Sequence, residues 1–119
     1  MVVSAGARLV QTCESMCEEL RRSVGSTLFR IELTRRPTPL VITLRSSDPL
    51  ASDPRHEWMR CATRARIERP LVLRGRHVGR IRIDDERRSE YPADAVVRAE
   101  TVITRYTPEL AELLDQGQL

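Results

Sequence analysis

Residues 70–84 read PLVLRGRHVGRIRID, and how this stretch folds decides the architecture of the chain. Leu71 and Leu73 alternate with other residues before the first glycine, and Ile81 and Ile83 alternate with Arg80 and Arg82 after the second. A period of two marks half-buried strands, with the aliphatic residues facing a core. Gly75, within Arg74-Gly75-Arg76, supplies the positive φ that a tight hairpin needs. Gly79 lets its strand bend or another backbone approach closely. Pro70 reads as an edge or a break, so the spacing predicts strands over 63–69, 70–75 and 77–84.

Upstream, Val10, Cys13, Cys17, Leu20 and Val24 recur at spacings of three and four, and Leu9 and Met16 widen the stripe. This predicts a helix over 6–24 that ends at Gly25, a natural left-handed C-cap behind Arg21 and Arg22. TLFRIEL (27–33) alternates as a strand. LVITLR (40–45) is β-branched and apolar and predicts a hairpin partner across the RRPTP turn. SSDPLASDPRHEW repeats Ser-Asp-Pro and reads as a lid loop over 46–62, with a short helix near 54–61.

Downstream of the stretch, Pro92 suits the first turn of a closing helix over 92–115. Val96, Ala99, Ile103, Tyr106, Leu110 and Leu113 form a 3-4-3-4-3 seam in it. Pro108 predicts a kink or two helices in line. Val97, Val102 and Leu114 fall off the seam and predict a second apolar surface. The whole reads as α+β: an antiparallel five-stranded sheet with the N- and C-terminal helices on one face.

The 119 residues, 40% hydrophobic and 31% charged, suit one folded domain. No apolar run is long enough to span a bilayer. The opening residues lack the pattern of a secretory signal, so a cytoplasmic location is expected. Three cysteines without a framework spacing fit a reducing compartment. All 20 basic residues are arginine, and asparagine is absent too. A GC-rich genome favours such usage, and selection for bidentate guanidinium chemistry is the other reading, which weakens any argument from arginine abundance alone. Its distribution carries more. Residues 64–88 hold nine arginines against four acids, whereas 89–119 hold two against six.

From Pro70 the chain resembles the C-terminal half of a GAF domain. Pro70, Leu71, Leu73, Gly75, Val78, Gly79, Ile81 and Ile83 match that family's strand, glycine turn and Val-Gly-led strand, and the helix from Pro92 follows in place. The resemblance implies a sheet-and-helix scaffold of the GAF, PAS and profilin-like kind that senses ligands or dimerises. The asparagine-lysine motif of cyclic-nucleotide-binding members is missing, and the middle of the chain is short for the family. Roadblock-type domains share the order of elements at about this length, and that resemblance implies a dimeric scaffold regulating a small GTPase. The Val-Gly-led strand favours GAF; the compact length favours Roadblock.

Three constellations are candidates for function. His56, Trp58, Arg60 and Cys61 would line a small-molecule pocket beneath the lid, with Trp58 as its apolar wall; otherwise Trp58 plugs the core. Arg64, Arg66, Arg74, Arg76, Arg80 and Arg82 would form a basic surface for an acidic partner or, less favoured, nucleic acid. Val10, Cys13, Cys17 and Leu20, with Val96, Ile103, Tyr106, Leu110 and Leu113, would form a homodimer interface. Cys13 and Cys17 lie one turn apart, a spacing open to metal, but no complete ligand motif accompanies them. No metal or cofactor is expected. A Cys–His pair without an orienting third group or an oxyanion motif predicts no enzyme. The expectation is a non-catalytic regulatory module.

Overall fold

The computed structural model describes residues 5–26, 28–35, 38–45 and 65–117. The predicted lid loop and the short helix within it lie outside the described residues. Helix α1 (Ala5–Val24) is followed by strands β1 (Leu28–Leu33), β2 (Leu40–Arg45), β3 (Ala65–Leu73) and β4 (Arg76–Asp85), and helix α2 (Ala93–Gly117) closes the chain. The strands form one antiparallel sheet in the order β2-β1-β4-β3. Both helices pack together and cover the same face.

Among the described residues the predicted five strands are four. Residues 63–69 and 70–75 were expected as separate strands, but β3 runs unbroken through Pro70, which stands opposite Arg80. An edge strand tolerates the missing N–H because half of its amides point away from the sheet. The bend lies one residue further on. Leu71 pairs with Gly79 and Val72 with His77, so Val78 is an extra residue bulged into β4. That bulge turns Val78 inward to 1% exposure, while its carbonyl accepts a hydrogen bond from the Thr34 N–H at 2.8 Å. At the hairpin tip Arg74 (φ 51°) and Gly75 (φ 79°) both take left-handed conformations, as a two-residue turn of the type I′ kind demands. Arg74 accepts this at a cost of about 1 kcal/mol. The chain has no asparagine to place there.

The inward rows are aliphatic. Phe29, Ile31 and Leu33 of β1 stand opposite Ile83, Ile81 and Gly79 of β4, and opposite Leu44, Ile42 and Leu40 of β2. Ile67 and Leu71 extend two of these rows onto β3. Above them lie Leu9, Cys13, Met16, Cys17 and Leu20 from α1, and Ala99, Val102, Ile103, Leu110, Leu113 and Leu114 from α2. Each buried aliphatic side chain contributes roughly 1.5–3 kcal/mol.

Helix α1 stops where Gly25 turns left-handed (φ 69°), its N–H donating to the Arg21 carbonyl at 3.0 Å. The Arg98 side chain donates to the Ser23 carbonyl at 2.9 Å and so ties that end to α2. Helix α2 is one helix, not two in line. Pro108 faces solvent, and so does Thr104, whose carbonyl loses its usual donor to the proline. Thr107 sits on the buried side and donates its hydroxyl to the Ile103 carbonyl at 2.7 Å. The predicted second apolar surface shrinks to one residue. Val102 and Leu114 are both 3% exposed, because α2 packs against α1 and β3 at once; Val97 alone stays out, at 61%. No described helix is long and apolar enough to cross a membrane.

Candidate functional site

The face of the sheet that the helices leave open is built by the other half of each strand's alternation. Its register gives three rows across the sheet: Leu28–Asp84–Arg66; Thr43–Arg30–Arg82–Glu68; and Val41–Glu32–Arg80–Pro70. Most of its charges answer one another. Arg66 Nε donates to Asp84 Oδ1 at 2.9 Å, Arg82 Nε lies 3.5 Å from Asp84 Oδ2, and Arg80 reaches Glu32 at 3.4 Å. Asp84 is 1% exposed, so its charge is held by arginines rather than by water. The Asp84 carboxylate also raises the Arg66 pKa, through its hydrogen bond first and its charge second.

One position breaks the pattern. Arg30 stands directly opposite Arg82 on the neighbouring strand. Like charges directly opposed in an antiparallel pair repel by roughly 0.2–1 kcal/mol. Arg30 has no ion pair with any described residue, and the nearest carboxylate oxygen to the buried Nε of Arg82 is that of Asp84 at 3.5 Å, with no hydrogen bond made. Around the pair lies a shallow depression of about 180 Å³ lined by Arg30, Glu32, Glu68, Arg80, Ile81 and Arg82. Two forked guanidinium groups lining one depression suit a carboxylate or phosphate oxygen pair.

The predicted basic surface is therefore divided. Arg66, Arg80 and Arg82 share the open face. Arg76 does not join them: its guanidinium grips Asp115 of α2 through two hydrogen bonds, at 2.9 and 2.7 Å. That bond holds the Asp115 carboxyl below its usual pKa and fastens the hairpin to the helix layer. Arg74 sits exposed at the turn. Arg64, and all four residues assigned to the lid pocket (His56, Trp58, Arg60 and Cys61), lie outside the described residues.

The predicted dimer seam is used within the chain. Cys13, Leu20 and Leu110 are fully enclosed; Cys17, Ile103 and Leu113 are buried; Val10, Val96 and Tyr106 are half-buried at its margin. This seam joins α1 to α2, leaving polar outer surfaces such as the groove of Glu14, Ser15, Glu18, Arg22 and Arg105. Burial, with Glu14 adding to it, pushes the Cys13 thiol up to about 12, and burial raises Cys17 as well. Both thiols are therefore protonated near neutrality and act as small apolar side chains. Among the described residues no group of three or more His, Cys, Asp or Glu is placed to hold a metal ion.

The end of β4 and the residues after it form a knot that the alternation of the strands does not announce. Asp84 and Asp85 end β4, and together with Glu86 they are buried. Asp85 accepts from the Arg87 backbone N–H at 2.9 Å, and its carboxylate pairs with Arg87 at 3.1 Å and Arg88 at 3.0 Å. Arg88 in turn lies 5.5 Å from the centre of the Tyr91 ring. The Tyr91 hydroxyl donates to the Gly25 carbonyl at 3.1 Å and lies 2.8 Å from the buried Ser26 hydroxyl. Burial raises the Tyr91 pKa to about 12. The readable signal was the placing of acids two and three residues before arginines at a strand end. The knot pins the entry to α2 against the exit from α1, a structural task. No protein-family model matches the chain, and no curated protein or solved structure matches it either.

Proposed function

We propose that the chain is a non-catalytic regulatory module that acts through protein–protein interaction as a homodimer, and that the open face of its sheet docks an acidic segment of a partner protein. The observation that carries this reading is the opposed pair Arg30 and Arg82, which line a shallow depression on the open face. A partner carboxylate placed between them would relieve the repulsion. The GAF-like residues from Pro70 to Ile83 support a regulatory role by resemblance, and the Roadblock-type scaffold is the alternative within the same class.

Nucleic acid fits the face less well. Glu32 and Glu68 interrupt the arginines, so a phosphate backbone crossing the sheet meets carboxylates in two of its rows. The described residues of the face include no phenylalanine, tyrosine or tryptophan on which a base could stack.

The test is fluorescence anisotropy with labelled poly-L-glutamate and with a single-stranded oligonucleotide of matched charge, both at low salt. The reading expects poly-L-glutamate to bind, and Arg30→Glu to weaken it about tenfold or more. Tighter binding of the oligonucleotide would favour the nucleic-acid alternative. Absence of poly-L-glutamate binding would overturn the docking surface.

A further inference from the structure

The two edges of the sheet are built differently. The β3 edge is protected three times over: by Pro70, by the bulge opposite Leu71 and Val72, and by Arg69, whose side chain is fastened to Glu100 of α2 at 2.8 Å. These are the devices that stop a sheet edge from recruiting another strand. The β2 edge has neither proline nor bulge within the strand, and its one charged residue, Arg45, stands at the strand's end. LVITLR contains no proline and no acid, and it pairs with β1 over all six residues without a register shift. Among the described residues no strand pairs with its outer side. Its side chains are also incompletely covered: Leu40 and Leu44 are half-buried on the helix side, and Val41 on the open face is 46% exposed.

We infer that β2 pairs antiparallel with β2 of a second copy across a two-fold axis at Ile42, joining the two sheets into one of eight strands. This inference deepens the homodimer part of the proposed function and names its interface. The strand is complementary to itself in this register. Antiparallel partners point to the same face, so Ile42 meets the partner's Ile42, Leu40 meets the partner's Leu44, and Val41 meets the partner's Thr43. On the helix side the row Ile81–Ile31–Ile42 then continues as its own mirror across the axis, and the half-buried leucines gain apolar neighbours. On the open side no like charges are opposed. A two-fold contact also closes: it satisfies both exposed edges and leaves none to propagate a fibre. Strand pairing of this length buries less than the roughly 800 Å² per partner of a standard interface, so a reversible dimer is the expected strength.

Sedimentation velocity on the full chain, over a dilution series, tests this with two variants. Val41 and Thr43 are exposed in the single chain, so V41K/T43K and V41E/T43E leave the core alone. Each variant sets like charges opposite one another twice across the axis. Wild type is expected to dimerise reversibly, and each variant alone to weaken dimerisation about tenfold or more, with helicity by circular dichroism unchanged. An equimolar mixture of the two variants is expected to recover the dimer, because Lys then faces Glu. A wild-type chain that is monomeric throughout overturns the inference. So does a dimer that both variants leave intact, and so does a mixture that fails to recover. None of these outcomes bears on poly-L-glutamate binding, which tests the open face separately.

Discussion

Toward the helices, the sheet presents Phe29, Ile31, Leu33, Ile42, Ile67, Leu71, Ile81 and Ile83; away from them, the same four strands present Arg30, Glu32, Arg66, Glu68, Arg80 and Arg82. The strands and ladders are shared, and only the parity of position differs. On the inner face every residue answers to the packing around it, since a side chain removed there leaves a hole that the neighbours fill only in part. On the outer face an arginine and its opposite glutamate are mostly wetted, and such pairs contribute roughly 0–1 kcal/mol. The inner face therefore specifies the fold, and the outer one is free to be shaped by a partner.

The contrast is sharpest at Ile81, which is 1% exposed and stands opposite the fully buried Ile31. Ile81→Ala is expected to cost about 4 kcal/mol in urea unfolding, the value for a large-to-small change that cannot collapse. A loss below about 1 kcal/mol would show that the inner rows are loosely packed. Two residues earlier, Gly79 tests the ladder itself. A Cβ there would lie 2.2 Å from the Glu32 carbonyl oxygen, so the β1 and β4 backbones must part to admit it. Gly79→Ala should cost about 3 kcal/mol by thermal melting. Gly75→Ala should cost nearer 1 kcal/mol, because its φ of 79° is strained for alanine but nothing lies within 4 Å of the added carbon. Equal losses at the two glycines would remove the close approach as the reason for Gly79.

The fold was more legible than the site because alternation and helical spacing are properties of single elements. Leu71, Leu73, Ile81 and Ile83 announced the hairpin, and the stripe from Val10 to Val24 announced α1. What depends on two elements meeting was hidden. Pro70 could break a strand or sit on an edge, and only the sheet order decides between them. Val102 and Leu114 looked surplus until α2 was seen to touch both α1 and the sheet. The arginines were legible as a surface, but Arg76 and Arg80 differ in use only because Asp115 of α2 comes within reach of the first. The opposition of Arg30 to Arg82, which carries the functional reading, depends on the β1–β4 register, and residues 52 positions apart in the chain give no local sign of it.

A milder perturbation acts on buried groups alone. Burial raises the Cys13 pKa from 9.0 and the Tyr91 pKa from 10.0, each to about 12. A group raised by folding contributes stability that is complete below its unfolded pKa and is lost as pH climbs through its folded pKa. Stability is therefore expected to hold to about pH 9 and to fall between about pH 9 and 12. The check is circular dichroism read beside tyrosinate absorbance. In a Tyr106→Phe background, a tyrosine that ionises near pH 10 while helicity persists would place Tyr91 in solvent. In the same range Cys13 and Cys17 should react with a thiol reagent only as the chain unfolds, measured in a Cys61→Ser background.

The smallest expected change in stability falls at Arg30, and there the two faces separate most cleanly. Arg30→Gln removes a charge opposed to Arg82 and breaks no ion pair among the described residues. Its stability should move by no more than about 0.5 kcal/mol, toward gain if the repulsion is felt. Arg82→Gln is different, because it takes away one of the guanidinium groups near the buried Asp84, and should destabilise by about 1–2 kcal/mol. Poly-L-glutamate affinity should instead fall by a similar factor in both variants, since each removes one prong of the same site. The double variant should then lose little more than either single one, because the two guanidinium groups act on one carboxylate. Additive losses in affinity would mean that the arginines bind independently, as a diffuse basic surface, and the depression between them would no longer explain why they face each other.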